Sequence, residues 1–207
     1  MDWSIAHSLN DFFARHDGLE DPVLLYVQAA EALFLGMLIV VAAFARRDRW
    51  ASVRRAAVAG GLSAGLGLLV VKIITEFYDR ARPFVAHPGK VHLFLNHAAD
   101  ASFPSDHATA AVAIAAAILL RGQVRWGLVT AAFALILMFG RVALGVHYPS
   151  DVIGGAVIGT LAAITLWTPS IRNRIDSATD WIGGRWDRGL DAALPQRSTD
   201  RPARERA

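Results

Sequence analysis

The chain has 207 residues, 54% of them hydrophobic, and a mean hydropathy of +0.36. A composition this apolar excludes an ordinary soluble domain and fits a small membrane protein. Net charge is +3, no basic stripe interleaves with aromatics, and cysteine is absent. These facts set aside a nucleic-acid binder, a disulfide framework and a thiolate metal site.

Residues 1–16 lack the basic start and long apolar core of a signal peptide. Trp3, Ile5, Leu9, Phe12 and Phe13 share one helix side, opposite Ser8, Asn10 and Asp11. This reads as a short helix that lies in the membrane interface or packs on the protein itself. Pro22 to Ala45 is long enough to span the bilayer core, with Glu31 interrupting it. An acidic group in a span faces a polar interior or serves as a structural polar group. Arg46, Arg47, Arg49, Arg54 and Arg55 then cluster in a short loop, cytoplasmic by the positive-inside rule. Ala56 to Phe77 is the second span. Its Gly60, Gly61, Gly65 and Gly67 suit close helix packing, and Lys72 near its outer end reads as a snorkelling side chain.

Residues 78–104 form a polar outer segment, long enough to be functional or to hold short helices of its own. Its histidines lack metal-ligand spacing, so no metal is expected. Pro104, Ser105 and Asp106 signal a helix start, and free N–H groups at a helix start suit an anion. His107 in that first turn is either a proton donor to a phosphate ester or incidental to a plain cap. The third span is 106–120, Arg121 and Arg125 mark a cytoplasmic turn, and the remaining spans are 126–140 and 150–168. The expected fold is therefore all-α: a polytopic membrane helical bundle of about five spans plus an N-terminal interfacial helix, within residues 1–168. Five spans put the N-terminus outside, the C-terminus inside, and both polar segments on the outer face. Residues 169–207 read as a cytoplasmic juxtamembrane segment, with Trp181 and Trp186 as anchors and a disordered last dozen residues.

The stretch Gly140 to Asp151 contains Arg141, His147, Pro149 and Asp151. Pro149 ends the preceding conformation and suits the first turn of a new helix, placing His147 in a tight reversal. A carboxylate four residues on can hold one imidazole nitrogen and leave the other free to attack. Arg82 and Arg141 offer forks of donors for phosphoryl oxygens, which makes a metal or other cofactor unnecessary.

With these motifs the chain resembles the type 2 phosphatidic acid phosphatase superfamily. Arg82-Pro83 matches the end of the family's first motif, and Pro104-Ser105-Asp106-His107 the second, with Asp for Gly. Gly140-Arg141, His147 and Asp151 match the third, with Gly for Ser. The resemblance implies a phosphohistidine at His147, His107 as general acid and Asp151 as the group that orients His147. Arg82, Ser105 and Arg141 would bind phosphate, and Asp106 is grouped with them at the helix start. Thr75 stands where the family has Lys, and Lys72 lies one helical turn earlier. Glu31 is expected to pair with Lys72 beneath the phosphate site, so Glu31, Lys72 and Thr75 are candidate pocket-lining residues.

The Phe-Pro-Ser-Asp-His form and the short chain most resemble undecaprenyl pyrophosphate phosphatases. The implied reaction hydrolyses a lipid pyrophosphate at the outer face of the cell membrane. The alternatives are a phosphatase for phosphatidic acid, phosphatidylglycerophosphate or diacylglycerol pyrophosphate, and a non-catalytic transporter.

Overall fold

The computed structural model describes residues 1–16, 18–45 and 47–193. The described residues form helices α1 (Asp2–Ala14), α2 (Glu20–Phe44), α3 (Arg47–Phe77), α4 (Pro83–Ala86), α5 (Asp106–Leu120), α6 (Val124–Ala143), α7 (Pro149–Trp167) and α8 (Pro169–Ala193). The expected disordered last dozen residues lie outside this range. The all-helical bundle stands as expected, and α2, α3, α6 and α7 are long and apolar enough to cross a membrane.

The fifth apolar helix, α5, differs from the other four. Its 15 residues extend about 22 Å at helical rise, short of the roughly 30 Å hydrocarbon core. It is the centre of the bundle and packs on α3, α6 and α7. Alanine dominates it, and Ala108, Ala111, Ala113, Ala115 and Ala117 are all buried. Small side chains let neighbouring backbones approach closely. The closest approach is on α7, where a Cβ at Gly155 would strike the Ser105 carbonyl and one at Gly159 the Thr109 carbonyl. The expected packing glycines of α3 matter less: Gly65 faces open space, and Gly67 alone is tight, against Thr109.

Helix α1 packs on the protein through Ala6, Asn10 and Phe13, while Ile5 and Phe12 stay exposed. Asn10 was expected on the polar face but is an internal anchor. Its Nδ2 donates to the carbonyls of His92 and Ala143, both at 2.9 Å, and its Oδ1 accepts from His92 N at 2.8 Å. Arg54 and Arg55 also depart from expectation, lying within α3 and not in a loop. Arg54 Nη2 donates to Asp187 of α8 at 2.7 Å, Arg55 pairs with Asp180, and Arg121 pairs with Asp176. These bridges fix α8 across the end of the bundle opposite α1.

Candidate active site

Two short segments meet at the α1 end of the bundle. In one, Pro83 disfavours helix at the residue before it. Arg82 is accordingly extended (φ −64°, ψ 156°) and caps α4. In the other, Gly145 turns the chain out of α6 with φ +82° and Pro149 starts α7, leaving His147 in the reversal between them.

His147 is 1% exposed. Its Nε2 lies 3.1 Å from Arg82 Nη1 and 3.2 Å from Arg141 Nη2. A guanidinium only donates, so Nε2 accepts and bears the lone pair. The proton sits on Nδ1, which donates to the Ser102 carbonyl at 2.9 Å. Burial pushes the His147 pKa down to about 4. Asp151 opposes the shift, whereas Arg141 and Arg82 add to it. At neutral pH the ring is thus uncharged, with its free nitrogen between two cations.

The two arginines retain capacity for an anion. Arg82 Nη1 also donates to the Val146 carbonyl at 3.0 Å, and its Nε donates to Asp100 Oδ1 at 2.8 Å. Arg141 Nη2 donates to His97 Nε2 at 2.9 Å, and Arg141 Nε is buried without a partner among the described residues. Burial first, and Arg82 and Arg141 after it, lower the His97 pKa. No carboxylate hydrogen-bonds to Arg141 among the described residues, so a phosphoryl oxygen fits the open donor.

Asp151 reaches the His147 ring less directly than expected. Its Oδ2 is 3.7 Å from His147 Nδ1. It accepts instead from Ser102 Oγ at 2.5 Å and Tyr148 N at 2.8 Å, while Oδ1 accepts from Arg80 Nη1 at 2.6 Å. Asp151 therefore holds Ser102, whose carbonyl holds the ring. Asp2 extends the network: Oδ1 accepts from Ser150 N at 3.0 Å and Oδ2 from Arg80 Nη2 at 2.6 Å.

Ser105 is fully buried and caps α5, its Oγ accepting from Ala108 N at 3.4 Å. Asp106, expected among the phosphate-binding residues, lies against His107. Its Oδ1 accepts from both the backbone N and the ring Nδ1 of His107, each at 2.8 Å. A carboxylate repels a phosphate, and this one is already engaged by His107.

The expected Glu31–Lys72 pair does not form. Lys72 Nζ lies 2.7 Å from Glu76 Oε1, one turn along its own helix, and its side chain is 75% exposed. A neighbour at i+4 and solvent satisfy that charge locally. Lys72 and Thr75 border an open polar cavity of about 520 Å³ with Arg82, Asp100 and Asp106. Glu31 borders a separate cavity of about 570 Å³, which takes in Asp106 and His107 and continues along apolar Phe34, Leu38, Leu68 and Ile114. Asp106 belongs to both.

Sequence reasoning gave no role to Arg80, Ser102, His97, Asp100 or Asp2. Arg80 had a readable signal, since it alternates with Arg82 in one extended run. The partners of Asp2 and Ser102 lie 148 and 49 residues away, with nothing local to mark them.

The family model of the PAP2 superfamily matches residues 56–174. Undecaprenyl-diphosphatase BcrC of Bacillus subtilis is 35% identical over 163 residues, covering 78% of this chain and 80% of the relative. A putative undecaprenyl-diphosphatase of Escherichia coli, YbjG, is 37% identical over 109 residues, 51% of this chain and 54% of the relative. Among solved structures, LpxE of Aquifex aeolicus superposes with a TM-score of 0.66 at 22% identity, over 79% of this chain and 93% of that one.

Proposed function

The chain belongs to the PAP2 superfamily and is a membrane phosphatase, and we propose that it converts undecaprenyl diphosphate to undecaprenyl phosphate and inorganic phosphate through a phosphohistidine on His147. One observation carries this mechanism: the unprotonated Nε2 of a buried, neutral His147 faces two guanidiniums. The lone pair on Nε2 attacks the terminal phosphorus. The bond to the bridging oxygen breaks, and His107 protonates that oxygen. Water then attacks the phosphorus and gives its proton to His107, and the N–P electron pair returns to His147. Arg82 and Arg141 hold the phosphoryl oxygens throughout. With that charge neutralisation built in, turnover is expected to survive EDTA; loss restored by one divalent ion would overturn this.

The choice of lipid rests on two supports. The apolar cavity that begins at His107 suits an isoprenoid tail, and a relative 35% identical over 78% of this chain is an undecaprenyl-diphosphatase. Purified protein should release phosphate from undecaprenyl diphosphate with a higher kcat/KM than from phosphatidic acid, phosphatidylglycerophosphate or diacylglycerol pyrophosphate. A preference for any of those lipids would keep the mechanism and replace the substrate.

The outer face is proposed from charge. Arg54, Arg55, Arg121 and Arg125 all lie at the end opposite His147, which the positive-inside rule places in the cytoplasm. The chain has no cysteine, so single labels are clean. Lys90→Cys should react with an impermeant thiol reagent in intact cells and Ser52→Cys should not; the reverse pattern would put the site inside.

A further inference from the structure

We propose that Asp106 and His107 form a carboxylate–imidazole pair at the leaving-group position, with Asp106 as the positioning residue that keeps His107 supplied with its proton. This rests on the reading of His107 as the acid. Asp106 Oδ1 takes two hydrogen bonds from one residue, from the backbone N–H and from ring Nδ1, each at 2.8 Å. The two contacts fix the ring relative to the first turn of α5. A carboxylate only accepts, so Nδ1 keeps its hydrogen in either charge state and the exchangeable proton resides on Nε2.

The placement suits the chemistry. Asp106 borders both the polar cavity, with Arg82, and the apolar cavity that begins at His107. The oxygen that leaves with the lipid must pass where headgroup space gives way to tail space, which is where this pair sits. The two imidazoles are also treated oppositely. His147 lies between two cations with its nearest carboxylate 3.7 Å away, whereas His107 has a carboxylate in direct contact. Two histidines whose nearest charged partners differ, guanidiniums for one and a carboxylate for the other, divide into a nucleophile and an acid.

Other charges surround the pair on several sides. Glu31 of α2 shares the cavity of His107. On the other side of Asp106, Lys72, Arg82, Asp79 and Asp100 border the polar cavity. Arg141 and His147 complete the surround from α6 and the turn that follows it. None of these makes a hydrogen bond to the His107 ring among the described residues, so Asp106 is its direct carboxylate partner.

Asp106→Asn keeps the shape and an accepting oxygen but removes the charge, and Asp106→Gly removes both. An acid must be protonated to act, so losing the carboxylate should move the alkaline limb of kcat/KM toward acid. The loss at pH 8 should be larger for a lipid phosphate monoester such as phosphatidic acid, whose alkoxide leaving group needs a proton, than for p-nitrophenyl phosphate, whose leaving group needs none. Histidine-selective NMR titration of the purified protein in detergent reads the His107 proton without turnover, assigned with His107→Ala. It should show the same acidward shift. An Asp106→Asn protein that keeps both the parental alkaline limb and the parental His107 titration would overturn the proposal. If the parent hydrolyses no lipid phosphate, the phosphatase reading fails. The titration still decides the pair: a shift supports it and an unchanged titration rejects it.

Discussion

Both ends of the bundle bury arginines, and they satisfy them in opposite ways. At the α8 end, Arg54, Arg55 and Arg121 each meet a carboxylate of a single helix, Asp187, Asp180 and Asp176. At the α1 end, Arg141 meets two imidazole nitrogens and hydrogen-bonds to no carboxylate among the described residues, and Arg82 meets Asp100, whose side chain is 62% exposed. A buried charge is costly until something neutralises it. Matched pairs make a fixed joint; incompletely matched cations around a free nitrogen make a place for an anion. The inward-facing arginines of the two ends differ in their partners, and those partners separate a staple from a site.

The contrast can be broken most directly at His147. His147→Ala should reduce turnover on the order of 10⁴-fold or more while leaving the melting temperature close to the parent's. Phosphate release near the parental rate would remove the nucleophile from the α1 end.

The next largest effects set the two kinds of arginine against each other. Arg141→Ala should cut kcat/KM by roughly 10²–10³-fold and leave the melting temperature unchanged or higher, because an incompletely matched charge is gone. Asp187→Ala should do the reverse. It strands Arg54, and breaking a buried pair costs about 3–5 kcal/mol, read as a lower melting temperature with kcat/KM of the folded fraction nearly unchanged. An exchange of these two phenotypes would contradict the division between staple and site.

A smaller effect follows from the neutrality of His147. Its folded pKa is about 4, below the ordinary 6.5. The unfolded chain takes up this proton first as pH falls. The stabilising contribution is complete above pH 6.5 and is lost as pH drops through about 4. Melting temperature should therefore fall across this window more in the parent than in His147→Gln; parallel profiles would mean the ring is not held neutral. The acid limb of kcat/KM should likewise lie near pH 4 and not near 6.5.

The smallest effect is expected at Lys72. Its ammonium is exposed and paired with Glu76, so Lys72→Ala should stay within about twofold of parental activity. A loss comparable to that of Arg141→Ala would show that Lys72 reaches the phosphate in the bound state.

Much of this was legible in the chain. The four long apolar helices could be read from composition alone, because a span must satisfy its backbone within itself and bury apolar length against lipid. Arg141, His147 and Asp151 fall within eleven residues, so local turn geometry accounts for their proximity. The start of α5 was equally local, since Ser105 and Asp106 are the residues that begin a helix.

Other features required the tertiary structure, because their partners are remote in sequence. Neither the pairing of Arg82 with His147 across 65 residues nor the seat of Asp2 on Ser150 has a periodic signature. The reach of Asp151 to the ring through Ser102 depends on how the loop before α5 lies over the start of α7. Lys72 and Glu31 show the limit most clearly. Matching depth in two spans suggested a pair, but depth does not fix which way a side chain turns. Sequence specifies what each segment requires: an apolar length to bury, a cap, a turn, a charge to satisfy. Which of several available partners satisfies a charge is decided by packing, and here Lys72 is satisfied by Glu76 on its own helix while Glu31 opens onto the cavity beside His107.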